Sequence, residues 1–565
     1  MMMRDQSKPR QMWAVRLTII GMALSLISVP VRSQSSVGAT NTATAGSFKI
    51  AGTVVNAVTG TPLAQARVTI RDMKRGAEIA TMVTLENGRF EFDRLAASKY
   101  WLRGDRRGFL IGAFEEHDRF STGIVTGPEF QTENLVLRLT PMGIITGHIY
   151  DEAGDPVEYA QVVLFMTDNR LGLNRTSRVL PDPSTTDDLG TYEYSHLRPG
   201  TYYLSVAAKP WYAIHPPLGP DGQPSPMQHV SPALDVAYPT IYYGGTIDAD
   251  AATPIVLKGG DHLEIDMHVS PVPALHLLLR APQVQQGQIE KPVLEKHVFD
   301  SVEPMDTDEM RMVAPGIYEL TGVPAGRYTI RRKNSNSEEL EQVSEVELIH
   351  NGQELNSLHS EPVGTVRVTI KMAGQESLPK QMSVAVQDSR RQFVAMKRAE
   401  ASGDVTFESL PPGKYSLAAT TPTEAIYVAR SVSQNGETQG HDLNITPGAN
   451  LDVTAFVVGG VVKIEGVVHK GEKPLSGAMV MLVPREPQTH LELFRRDQSD
   501  FDGTFLLTGV IPTTYTILAI EDGWDLEWVK PGVIEPYLKR GQELTIGELM
   551  RGTVHLPEPV EVQPR

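Results

Sequence analysis

Ile50-Ala51-Gly52-Thr53-Val54, followed by Thr61-Pro62-Leu63-Ala64-Gln65-Ala66-Arg67-Val68, Asn87-Gly88-Arg89-Phe90-Glu91-Phe92 and Lys99-Tyr100, is the phrase that decides the fold. It reads as a Gly-containing strand, a small-residue turn, an alternating strand, a Gly turn, an aromatic strand and a tyrosine. Apolar and polar residues alternate over 66–71 and 90–93, as a strand with one buried and one wet face requires. The phrase returns about five times, most legibly between residues 466 and 515. Regular turns and the lack of a long amphipathic helix predict an all-β chain of tandem Ig-like Greek-key β-sandwich domains, not one large enzyme fold.

Composition and turns divide the chain. Residues 1–33 read as a signal peptide and 34–46 as a flexible Ser/Thr/Ala/Gly linker. Sandwiches are expected at 47–141, 142–272, 273–361, 362–456 and 457–565. Units of roughly 90 to 125 residues are large enough to fold alone. The second opens at Gly143-Ile144-Ile145-Thr146-Gly147 and ends its core phrase at Pro199-Gly200-Thr201-Tyr202. The third diverges most and is marked by Gly316-Ile317-Tyr318-Glu319-Leu320 and Pro324-Ala325-Gly326-Arg327-Tyr328. The fourth carries Gly364-Thr365-Val366-Arg367-Val368 and Pro411-Pro412-Gly413-Lys414-Tyr415. Residues 209–243 hold eight prolines and are expected to form an extended loop outside any sheet interior.

The spacing Gly466-x-Val468, Pro474-Leu475-Ser476-Gly477-Ala478, Asp502-Gly503-Thr504-Phe505 and Tyr515, with its counterparts in the first and second units, resembles the carboxypeptidase regulatory-like domain. That domain is a transthyretin-like or Cna B-type seven-stranded sandwich, and the resemblance extends over nearly the whole chain after residue 46. It implies corner tyrosines at Tyr100, Tyr202, Tyr328, Tyr415 and Tyr515, packed as core residues with bonded hydroxyls. It says little about activity, because such modules serve many proteins. Some Cna B-type relatives form a Lys to Asn/Asp isopeptide with a Glu four residues after the corner tyrosine. Here those positions hold Gly104, Val206, Arg332, Ala419 and Ala519, so the resemblance implies no such bond.

Arg4, Lys8, Arg10 and Arg16 precede an apolar run over residues 17–31, interrupted by Gly21, Ser25, Ser28 and Pro30, with the small residue Ser33 just beyond. A positive flank, a short apolar core and a small residue predict a secretory signal cut near Ser33-Gln34, and no membrane span after cleavage. The chain is expected to be secreted, periplasmic or at the cell surface, in a bacterial envelope. Removing residues 1–33, which carry five Lys/Arg and one Asp, takes the formal charge from -16 to -20. Such a balance repels phosphate backbones and argues against nucleic acid as a partner. There is no cysteine, which excludes disulfides, lipid attachment through an N-terminal Cys, and thiolate ligands or nucleophiles.

The chain contains no His-Glu-x-x-His, Gly-x-Ser-x-Gly, Gly-x-x-x-x-Gly-Lys or Gly-x-Gly-x-x-Gly, and is expected not to be an enzyme. His555-Leu556-Pro557-Glu558 has the His-x-x-Glu spacing but sits in a Pro-rich tail, and the fifteen histidines show no ligand spacing. No catalytic, cofactor or metal residue is therefore assigned. Acid pairs at Asp187-Asp188, Asp248/Asp250, Asp306/Asp308 and Asp500/Asp502 read as turns, with weak calcium binding at one of them the alternative.

Two aromatic groups are the candidate ligand-binding residues. Trp524, Trp528 and Tyr537 follow the last corner strand among acids, an arrangement suited to sugar faces or to a C-terminal clasp on the sandwich. Trp211, Tyr212, Tyr242 and Tyr243 lie in the Pro-rich loop, as an exposed patch or a lid. The expected function is that of a non-enzymatic binding and spacing protein of the cell envelope. Short linkers at Thr140-Pro141, Pro271-Val272-Pro273 and Glu361-Pro362 would hold the modules apart, end to end. One alternative is a carbohydrate-binding protein, since starch-binding-like sandwiches take glycans. The other is an accessory subunit of a separate peptidase or outer-membrane transporter, with an envelope protein as partner.

Overall fold

The structure is a computed structural model. It describes residues 46–565 except 117–121, 129, 169–174, 180–183, 219–229, 281–292, 300, 306–309, 316, 334–339, 357–362, 373–377, 380, 389–392, 423–425, 434–435, 440–441, 460–461, 489, 531 and 548–549. The expected signal peptide, the expected linker up to residue 45, the acid pair Asp306/Asp308 and the expected linker at Glu361-Pro362 lie outside the described residues.

Strand pairing follows one plan repeated along the chain. The opening strand Phe48–Asn56 pairs antiparallel with Arg89–Leu95 and parallel with Leu135–Leu139. The facing sheet is built on Arg67–Asp72, between Ala77–Val83 and Lys99–Asp105. Gly143–Tyr150 takes the same place between Thr191–Leu197 and His262–Glu264, and Leu275–Arg280 between Ile317–Val323 and Gln353–Asn356. Gly364–Met372 sits between Asp404–Leu410 and Asn450–Gly459, and Val462–Lys470 between Thr504–Val510 and Gly552–His555. Each opening strand thus ties the middle of its chain segment to the end of it. Successive clusters of buried apolar side chains lie between the paired sheets of the first four β-sandwiches and inside the fifth, whose two faces are joined into one sheet by Val560–Gln563 pairing with both. Burial in Gly364–Met372 alternates at every residue, which is the physical content of the sequence alternation.

Three devices make the repeated phrase fold this way. The first is the corner tyrosine, whose hydroxyl donates to the carbonyl four residues earlier in every sandwich. Tyr100 bonds Ala96, Tyr202 bonds Arg198, Tyr328 bonds Pro324, Tyr415 bonds Pro411 and Tyr515 bonds Ile511, at 2.6–3.1 Å. A hydroxyl this deep would otherwise be orphaned, and burial lifts Tyr202 to about 12. The second is a buried hydroxyl bridging a Leu/Val-x-x-Ala turn. Thr84 joins Leu63 O to Ala66 N, Thr186 joins Val157 O to Ala160 N, and Ser499 joins Leu475 O to Ala478 N. The third is the turn glycine. Gly503 has φ +78, and a Cβ there would stand 2.9 Å from Val468 O, leaving room for no other residue.

The sandwiches are not laid end to end. The Lys99 side chain is buried, and its ammonium donates to Asp497 Oδ1 at 2.5 Å and Gln498 O at 2.6 Å, while Gly123 N donates to Gln498 Oε1 at 2.7 Å. These bonds fasten the first sandwich to the fifth, so the expected extended array is corrected to one that turns back on itself. An ammonium this far from water has to be met by fixed acceptors, and the Arg495–Gln498 strand supplies them. Among the described residues, no helix is long and apolar enough to cross a membrane.

Two predictions follow from this packing. Gly503→Ala should destabilise the fifth sandwich by about 2–3 kcal/mol, through a forced left-handed backbone and the carbonyl clash. Tyr515→Phe, which loses only a hydroxyl bond, should cost about 1 kcal/mol, and urea unfolding followed by tryptophan fluorescence should rank them so. Lys99→Met should free the first sandwich from the fifth and raise the radius of gyration in small-angle scattering; an unchanged value would show that the contact does not hold them.

Candidate functional site

The Pro-rich loop is fastened on both sides. Towards the second sandwich, Tyr212 and Tyr238 donate to the two oxygens of Glu152, the Tyr238 bond being 2.8 Å long. Burial and this carboxylate push Tyr212 up to about 12. Within the loop, Ile214 N donates to Leu234 O, and the extended pair Val236–Ala237 adds to Val272–Pro273 as a two-stranded ribbon. Ile241–Tyr242 pairs with the edge of Gly200–Ala207. Among the loop's described residues, two segments take part in sheet pairing, because proline-free dipeptides can still offer their amides, and Pro232–Leu234 forms a short 3-10 turn.

Towards the third sandwich the loop meets a buried ionic chain. His215 Nδ1 lies 2.9 Å from Asp235 Oδ1, and His276 Nε2 lies 3.0 Å from Asp235 Oδ2. The other nitrogen of His276 lies 2.8 Å from Glu319 Oε1, which also accepts from Leu218 N at 2.8 Å. Arg311 Nε donates to Glu319 Oε2 at 2.8 Å, and its guanidinium reaches His215 O at 3.1 Å. Strand alternation explains the placement: His276 on Leu275–Arg280 and Glu319 on Ile317–Val323 are neighbours across one sheet, pointing away from the core leucines. His276 is 1% exposed and Glu319 is 0% exposed, so neither can be left unanswered.

Charge in this chain is internally matched. Burial disfavours the His276 cation, but the Asp235 and Glu319 carboxylates outweigh it and raise the imidazole to about 9. Burial likewise opposes the Asp235 carboxylate, but bonds from His215 and His276 hold it near 2. Glu319 is lowered by His276, Leu218 N and Arg311 against the same burial. With both ring nitrogens facing carboxylates, His276 is an imidazolium that donates twice. His215, Asp235 and His276 also present three potential metal-ligand atoms within 4.8 Å of one another; His148, Glu264 and Asp266 form a second, more exposed group.

Beside this chain the second and third sandwiches are joined by an aromatic plug. Phe299, at the turn after Val293–Val298, has φ +52, and its ring centroid lies 4.8 Å from Tyr203, 5.2 Å from Phe165 and 6.0 Å from Tyr242. A bulky residue holds such a backbone only when its surroundings fix it. Arg178 pairs with Glu303 at 3.1 Å across the same junction. A cleft of about 830 Å³ opens between the two sandwiches, lined by Tyr159, Lys209, Trp211, Tyr238, Lys296 and Glu303 among others. Trp211 is 87% exposed and Tyr159 is 73% exposed. Lys296 donates to Ile247 O at 3.0 Å, and burial lowers its pKa.

The candidate aromatics part company here. Trp211 lines the cleft, Tyr212 is bonded to Glu152, Tyr243 packs half-buried on the second core, and Tyr242 is wholly buried. In the other group, Trp528 is 4% exposed and its ring lies 4.9 Å from Phe494. Trp524 donates its indole N–H to Gly477 O at 3.1 Å beneath the Arg496 guanidinium, and Tyr537 packs with them. This clasp covers the outer face of Met479–Pro484, which is consequently buried on both sides. The acid turns mostly satisfy themselves: Asp187 accepts from Leu189 N and Thr191 N, Asp248 from Asp250 N, and Asp502 from Thr504 N. Asp500 instead faces the Lys99 ammonium at 3.7 Å. His215, Asp235, His276 and Glu319 escaped the sequence reading because 61 residues separate the two histidines.

Comparison with known proteins places residues 49–118 in the carboxypeptidase regulatory-like domain. The resemblance read from the first unit is thus shown over that span. No curated protein matches the sequence. Among solved structures, the TIE protein of Bacillus anthracis is 14% identical, with 70% of this chain and 69% of that one covered and a TM-score of 0.15. A streptococcal ancillary pilin is 13% identical, covering 52% of this chain and all 100% of its own, with a TM-score of 0.20. The major pilin subunit of Bacillus cereus is 12% identical, covering 55% and 99%, with a TM-score of 0.13.

The ionic chain gives a pH signature in ion-free protein. His276 moves from 6.5 to about 9 on folding, so its stabilisation is complete below pH 6.5 and is lost as pH rises through 9. Asp235 moves from 3.8 to about 2, so its share is complete above pH 3.8 and is lost as pH falls through 2. The melting-temperature gap between wild type and His276→Gln should be widest between these limits and close by pH 9; a gap independent of pH would contradict the imidazolium.

Proposed function

We propose that this chain is a secreted, non-enzymatic binding protein of the cell envelope, whose sandwiches form a folded-back scaffold and whose ligand enters the cleft between the second and third. One observation carries the reading: Trp211 stands almost wholly in solvent at the mouth of a cleft whose walls are locked by Phe299, Arg178–Glu303 and the His276 chain. A large ring held out on a rigid frame costs apolar exposure and is the kind of feature that marks a binding surface. Tyr159 and Tyr238 add aromatic faces, and Glu303, Glu158 and Lys209 add hydrogen-bonding groups. Sugar CH faces stack on such rings while hydroxyls bond the polar rim, so a glycan is the ligand class we assign. The residues that carry it are Trp211 and its cleft neighbours; Trp524, Trp528 and Tyr537 serve as a structural clasp.

The accessory-subunit reading draws on a different feature. The edge strand Ala77–Val83 of the first sandwich exposes Ile79 and Val83, with Leu85 just beyond at 73% exposure. An apolar sheet edge open to solvent is a place where another chain can add.

A glycan array probed with the secreted chain tests the main reading. Wild type should give discrete signals, Trp211→Ala should weaken them about tenfold, the worth of a good aromatic contact, and Trp524→Ala should leave them unchanged. Absence of signal from wild type, or signals indifferent to Trp211, would contradict it.

A further inference from the structure

We propose that His215 Nδ1, His276 Nε2 and the Asp235 carboxylate form a site for one divalent transition-metal ion of the zinc class. The three donors come from two separated parts of the loop and from a core strand, and they converge on one point. Their ligand atoms lie within 4.8 Å of one another, with the two imidazole-to-carboxylate separations at 2.9 and 3.0 Å. Tetrahedral ligands at zinc bond lengths of about 2.0–2.1 Å stand roughly 3.3 Å apart, so the two imidazole-to-carboxylate separations need open by only a few tenths of an ångström, while the two imidazole nitrogens, within 4.8 Å of each other, adjust by side-chain rotation. Two imidazoles and one carboxylate are the donor set of zinc-like ions, whereas calcium and magnesium take oxygen shells.

The second observation is what stands behind His276. Its Nδ1 faces Glu319, which is itself fully buried and held by Leu218 N and Arg311. A carboxylate on the outer nitrogen of a ligating histidine fixes the ring and raises its basicity, the arrangement that surrounds metal-bound imidazoles. The ion would take the place of the Nε2 proton of His276 and the Nδ1 proton of His215. It would then staple the loop to the Leu275–Arg280 strand. Because His215 also lines the cleft, the fourth coordination position would face it and take water. The site stands independently of what the cleft binds.

The chelator-dialysed full chain, titrated with cobalt(II) and then zinc, is the test. One equivalent of cobalt should produce the visible bands of a low-coordinate ion, and zinc should displace it. Zinc affinity should fall about 100-fold or more in His215→Ala and Asp235→Asn, and about 10- to 100-fold in Glu319→Gln, as loss of an outer carboxylate does elsewhere. His148→Ala, at the more exposed cluster, should leave binding unchanged, and circular dichroism should confirm that each variant is folded. Wild type taking up no cobalt at stoichiometric concentration would overturn the proposal. So would binding that survives in His215→Ala or disappears in His148→Ala, and the wild-type and His148→Ala results decide even if the buried-site variants do not fold.

Discussion

A carboxylate with no exposed surface must be answered from within the protein, and Glu319 is answered from three directions. Leu218 brings the loop, His276 brings the neighbouring strand, and Arg311 brings the adjoining hairpin. Removing His276 or Arg311 takes away one of the two cations that hold the Glu319 carboxylate in a low-dielectric setting, and so destabilises the junction. The loop is therefore not free to lie elsewhere. It bridges the second and third sandwiches, and its Lys209, Trp211 and His215 line the cleft between them.

The regular part of the molecule was legible in the sequence because it is local. Each corner tyrosine reaches a carbonyl only four residues back, each turn glycine answers to a neighbouring strand, and the strand alternation is a property of six or seven consecutive residues. Those signals survive even where Pro-Gly before the tyrosine is lost, as at Lys99-Tyr100 and Thr514-Tyr515. The hydroxyls of Thr84, Thr186 and Ser499 belong to the same grammar, though their roles emerge only once the turn they bridge is seen.

What could not be read is whatever depends on one sandwich meeting another. Lys99 looks like a surface residue before a tyrosine, yet it is buried against Asp497, nearly four hundred positions away. Tyr242 and Trp211 share one proline-rich segment and one aromatic character, but one ends in an interface cluster and the other in solvent. Local pattern cannot separate them, because both fates satisfy it. The histidines likewise seemed scattered, since ligand spacing along a helix or turn says nothing about donors assembled across a sheet and a loop.

The central claim is that the loop, through Glu319 and its partners, makes the second and third sandwiches one body. Residue-resolved amide hydrogen exchange tests it most directly, at Ile214, Leu218 and Ala274, whose N–H groups bond Leu234 O, Glu319 Oε1 and Asp235 O. The account predicts that these amides exchange as slowly as those of the Ile317–Val323 strand and speed up together in Glu319→Gln. Exchange at the rate of an open loop, in wild type, would contradict it.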